Sequence, residues 1–94
     1  MSRSTAEVPT ANGSRYLQQL CKHWSHKMPV EFDAEKGHIA FPDGTIAEMA
    51  ARAEALAVTL DVPEGEDAAR MQRVVAEHLD RFAFREAPLA FDWR

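Results

Sequence analysis

Residues 56 to 62 read LAVTLDV, with Leu56, Val58, Leu60 and Val62 at every second position. A period of two puts one side of a β-strand into a core and leaves the other toward solvent. The preceding residues, TIAEMAARAEA, pull the other way, because alanine and glutamate favour helix. The alternation is read as the stronger signal and predicts two strands, over 45–51 and 56–62. The competing architecture makes residues 45–57 a third helix.

The rest of the chain is read around that hairpin. VEF (30–32) and HIAF (38–41) flank DAEKG and place Val30 with Phe32, and Ile39 with Phe41, two apart, as a half-buried hairpin requires. Gly37 is expected to supply the positive φ of that loop. PDG (42–44) is a second turn. A short strand is read over Thr5 to Val8, closed by Pro9. Thr10, Asn12 and Ser14 are candidate caps for a helix running to about Lys27, before Pro29. Pro63 and EGED introduce a second helix reaching about Phe82, since negative charge is favourable at a helix amino end. Leu89, Phe91 and Trp93 alternate as a final strand. The expectation is an α+β fold of two layers, a mostly antiparallel sheet with two helices on one face, in the order β-α-β-β-β-β-α-β.

Ninety-four residues make a single domain, spanning 1–94, and 46% hydrophobic with 28% charged residues is an ordinary globular composition. A net charge of −4 argues against a general nucleic-acid binder, which needs a basic footprint to neutralise phosphates. All three lysines, Lys22, Lys27 and Lys36, precede residue 42, and the acids concentrate after it. No apolar run approaches the roughly 20 residues of a membrane span, and the amino-terminal residues lack the apolar core of a signal peptide. A single cysteine cannot form an internal disulfide. A cytoplasmic setting is therefore expected.

Two stretches are chemically loaded. In CKHWSHK (21–27), helical geometry places Leu17, Leu20, Cys21, Trp24 and Met28 on one stripe, His23 at its edge and His26 almost opposite. Cys21 and His23 point about 200° apart, so they cannot chelate one ion together. His23 and His26 have a ligand-like spacing of three, but two ligands do not close a zinc site. Cys21 lacks a base on its own face and reads as a buried hydrophobe rather than a nucleophile. In EHLDRFAFRE (77–86), Met71, Val75, Leu79 and Phe82 make the inward stripe and His78 falls within it. A hydrogen-bonded core histidine and a site histidine in a pocket between the helices are both open readings. Arg81 and Arg85 could hold an anion, with Asp80 and Glu86 as competing surface ion-pair partners. His38 is expected to be exposed, beside Glu31 or Asp33.

The segment SRYLQQLCKHWSHKMPVEFD, followed by GHIAFPDG and VVAEHLDRFAFRE, closely resembles a small bacterial family, domain of unknown function 2218. Tyr16, Leu17, Leu20, Cys21, His23 and Trp24 match its first signature. His78, Leu79, Arg81, Phe82, Ala83, Phe84, Arg85 and Glu86 match its second. The resemblance agrees with the hairpin over 45–62, although MAARAEALA is richer in alanine than the family pattern. It implies no established activity. It does imply an accessory part in iron handling, because such domains occur beside or fused to siderophore-interacting flavin reductases.

Two functions stand at this point. The first is a noncatalytic ligand-binding or accessory module tied to iron or siderophore use, with His23, His78, Arg81 and Arg85 as polar lining, a siderophore-interacting flavin reductase or a small ligand as partner, and no cofactor or metal specified. The second is a structural or protein-interaction domain acting as a homodimer through a sheet edge or the carboxy-terminal strand. An enzyme ranks third.

Overall fold

The computed structural model describes residues 2–94. In chain order the elements are β1 (Ser2–Pro9), α1 (Gly13–Trp24), β2 (Val30–Phe32), β3 (Lys36–Ala40), β4 (Ile46–Ala51), β5 (Ala55–Val62) and α2 (Ala68–Phe82). All strand pairings are antiparallel, in the spatial order β1-β5-β4-β3-β2. The α+β architecture follows the expected order from β1 through α2.

The contested segment is a hairpin. Met49 pairs with Val58 and Ala47 with Leu60, so both strands turn the same alternate residues toward the helices. Leu56, Val58, Leu60 and Val62 are all buried, as are Ala47 and Met49. Each fully buried leucine or valine contributes about 1.5–3 kcal/mol. A continuous helix over these residues would forfeit that one-sided burial, which outweighs the helix preference of six alanines at a few tenths of a kcal/mol each.

Both helices cover one face of the sheet. α1 buries Tyr16, Leu17, Leu20, Cys21 and Trp24, and α2 buries Met71, Val75 and Leu79. Asp67 caps α2 by accepting from the Arg70 amide at 3.1 Å. At α1 Asn12 is the capping position but makes no side-chain cap, while Thr10 Oγ1 accepts from the Asn12 amide and Ser14 Oγ donates to the Ala34 carbonyl. α1 ends at Trp24, three residues short of the expected Lys27, and a turn carries the chain to β2.

Gly37 departs from expectation. It lies within β3 and has no positive φ, a property found only at Gly44 and Gly65 among the described residues. Its role is space: a Cβ there would sit 2.8 Å from the Cys21 Sγ. The carboxy-terminal segment also differs. Leu89 is buried and its amide donates to Asp80 Oδ1 at 2.9 Å, and Phe91 and Trp93 stack on one another at 5.6 Å. Their alternation reflects that stacking on one side rather than a ladder. The segment meets the sheet at one rung, where Thr5 and Arg94 exchange backbone hydrogen bonds of 2.9 and 2.8 Å.

The opposite face of the sheet carries no helix. Glu31, His38, Glu48, Thr59 and Thr5 are successive partners across all five strands there. His38 is exposed on this face as expected, 3.8 Å from Glu48.

Candidate functional site

Where α1 and α2 pack, they bring two of the singled-out histidines together. The His23 and His78 ring centroids are 5.9 Å apart. His23 is exposed and also meets Phe82 edge-on at 6.0 Å. His78 is half-buried, 4.9 Å from the Trp24 ring, which in turn packs on Phe41 at 5.0 Å. The His78 Nδ1 lies 2.6 Å from the Val74 carbonyl, one turn back on its own helix. A carbonyl only accepts, so Nδ1 carries the proton of the neutral ring.

The field around His23 is positive. Its pKa is held below the ordinary histidine value by desolvation first, and then by Lys27, His78, Arg81 and His26. Arg81 therefore belongs with the two histidines, and Lys27 is a member that the sequence reading did not single out. The signal was present, since residues 13–28 contain Arg15, Lys22 and Lys27 and no acid. Arg85 does not join them: its guanidinium lies 5.7 Å over the ring of Phe84, which is 72% exposed.

Asp80 and Glu86 are engaged elsewhere, so the ion pairs expected of them within the second loaded stretch do not form. Asp80 accepts from the Leu89 amide. Glu86 accepts from Thr10 Oγ1 at 2.9 Å, from Asn12 Nδ2 at 3.1 Å and from the Tyr16 hydroxyl. Those bonds hold the Glu86 carboxyl below the usual carboxylate range, with the Tyr16 bond foremost, and the same bond pushes the Tyr16 phenol up. Tyr16 and Glu86, both in the resemblance motifs, thus tie the start of α1 to the end of α2. Glu86 also places negative charge beside the amino end of α1, whose first turn contains no acid. Arg81 is left without an ion-pair partner among the described residues.

Charge is segregated by layer. Residues 13–28 and 68–86, the helices and the residues that follow each, hold seven of the eleven Lys and Arg, three of the fifteen acids and three of the four histidines. Their net charge is +4, and the remainder carries −8. That arrangement disfavours a cation at His23 and His78, and no group of three His, Cys, Asp or Glu suited to a metal occurs among the described residues.

A second concavity lies on the uncovered face of the sheet. It has a volume of about 620 Å³ and is lined by Glu31, Lys36, His38, Glu48 and Arg52 around a floor of Ala50, Ala57 and Thr59. None of the four candidate residues borders it. Its lining mixes both signs: His38 lies 3.8 Å from Glu48, and Arg52 pairs with Glu7 outside the concavity.

The fold and the surface around its paired helices define a small two-layer α+β domain, and comparisons with known proteins place it further. Residues 5–94 match a family described as an uncharacterized protein conserved in bacteria, DUF2218, and the chain belongs to that family. An NMR structure of PA4090 from Pseudomonas aeruginosa is 40% identical, with a TM-score of 0.81, over 100% of this chain and 96% of that one. No curated protein matches the chain. No described helix is long and apolar enough to cross a membrane.

Proposed function

We propose that this domain is a noncatalytic binding module that takes an anionic ligand on its helical layer, at His23, His78, Arg81 and Lys27. One observation carries the reading: Lys27 and Arg81 flank a histidine pair where the two helices meet, while Asp80 and Glu86 are bonded elsewhere. Charge-assisted hydrogen bonds to an oxyanion are the strong polar contacts such a surface can make. The noncatalytic part is supported by Cys21, whose thiol is buried under Gly37 and pushed up to about 11 by desolvation. The iron-handling association implied by the family resemblance guides the choice of probes, since citrate offers a polycarboxylate with or without ferric ion. Arg85 lies outside the central contact and serves as a peripheral cation.

The test is a titration of the full chain with citrate, followed by backbone amide shifts at about pH 6, with ferric citrate and zinc chloride in parallel. Shifts confined to residues 22–28 and 74–85 are expected, and Arg81→Gln should weaken citrate by about tenfold, the loss of one charged hydrogen bond of about 1.5 kcal/mol. Zinc binding without citrate binding, or shifts confined to β3 and β4, would overturn the reading. A homodimer is the second reading, favoured by the uncovered outer face of the sheet; sedimentation at several concentrations decides it.

A further inference from the structure

We propose that His23 and His78 act as a proton-coupled clamp, so that this site binds multivalent oxyanions with uptake of solvent protons and releases them as pH rises. The inference rests on the anion-binding reading above and adds its regulation. The geometry of His78 carries it. With Nδ1–H donated to the Val74 carbonyl, the other ring nitrogen, Nε2, is a lone-pair acceptor in the neutral ring. A lone pair repels an oxyanion. Protonation turns Nε2 into a donor and adds a full positive charge, without breaking the bond to Val74.

His23 extends the argument across the helix interface. At a centroid separation of 5.9 Å the two rings are close enough for one multivalent anion to touch both, and too close for both to be protonated without mutual repulsion. Lys27 and His26 on α1, and Arg81 on α2, add to that repulsion. Of the neighbouring acids, Asp80 is bonded to the Leu89 amide and Asp43 to the Thr45 amide, and Glu77 is exposed on α2. In the empty site the second proton is opposed by Lys27, Arg81, His26 and the His78 ring, the charges that act on His23. A bound dianion reverses that local field, and both rings can hold their protons as donors to it. The proton balance is simple: one proton goes from solvent to His78 Nε2, one to His23, and no covalent bond changes. A divalent cation would need both rings neutral and would be repelled by Lys27 and Arg81, so the same geometry selects against metal.

The test uses sulfate, which carries its full charge across the range from about pH 5 to about pH 8, with ionic strength held constant by chloride. Calorimetry in two buffers of different ionisation heat gives the number of protons taken up, and Kd is followed with pH. Binding should weaken by about tenfold per pH unit for each coupled proton above the pKa of the free site. His78→Gln keeps an amide donor near Nε2 but cannot titrate, so it should lose one proton of uptake and flatten the slope. His23→Gln, at an exposed position, gives the parallel result if the His78 variant folds poorly. Those variants also separate the histidines from the general gain of positive charge at low pH. A wild-type Kd independent of pH with no proton uptake, or an undiminished slope in both variants, overturns the clamp and leaves the anion site standing. Absence of sulfate and citrate binding at the lowest pH overturns both.

Discussion

Gly37 and Cys21 show how a single missing Cβ decides local packing. Sequence reading made Gly37 a turn glycine, because a glycine between two short strands normally supplies positive φ. Its actual role is invisible to local pattern, since it depends on a cysteine sixteen positions earlier lying against its α-carbon. The burial of Cys21 was legible, because the helical stripe placed it among Leu17, Leu20 and Trp24. Gly37→Ala should therefore destabilise the domain by about 1–3 kcal/mol through overpacking. Cys21→Ala in that background should restore part of the loss, a non-additive result measurable by urea unfolding. Strictly additive effects would mean that the two residues do not share the space. A thiol reagent should also label Cys21 only as fast as the domain opens, since its thiol is buried and held protonated.

Among the elements, the two helices are joined at their ends by residues that pattern alone could not connect. The apolar stripes of α1 and α2 were readable from periodicity, and so was the depth of Trp24 and Leu79. The engagement of Glu86 with Thr10, Asn12 and Tyr16 was not, because it spans about seventy positions and joins exposed-looking polar residues. The expected final strand failed for a related reason: alternation at Phe91 and Trp93 reports side-chain stacking, and says nothing of where backbone bonds go. The Glu86 contact predicts a pH signature. A carboxyl held below its unfolded value contributes stability that is present above that value and lost as pH falls through the lowered one. A phenol held above its unfolded value contributes stability that is present below about 10 and lost as pH rises through the raised one. Thermal unfolding of the parent chain should thus weaken at both extremes. In Glu86→Gln the acid-side loss should shrink, and in Tyr16→Phe the alkaline-side loss should shrink. If both variants kept the parent's pH profile, the Tyr16–Glu86 bond would not be the link between these helices.

At the scale of the whole molecule, the arrangement that matters for binding is a dipole of charge between layers, and net charge conceals it. Sequence reading saw lysines early and acids late, which is a statement about chain position. Folding converts it into a statement about faces, because both helices pack on the same side of the sheet. An overall −4 would suggest that this protein repels anions, yet the helices with the residues that follow each, 13–28 and 68–86, carry +4. Two substitutions separate these descriptions. Lys27→Glu and Lys36→Glu each take the formal net charge from −4 to −6, one beside His23 and the other in β3 on the opposite face. If net charge governed anion binding, both should weaken citrate equally. Because charges separated by more than about 8–10 Å are screened at physiological salt, only the local field should count. Lys27→Glu is expected to reduce citrate affinity by at least about tenfold at low salt and to lose part of that effect as chloride is added. Lys36→Glu should leave affinity within about twofold of the parent, because its change of charge lies across the sheet from the helices. Equal losses in the two variants would show that long-range charge controls the encounter and would remove the helical layer's claim to be the binding face.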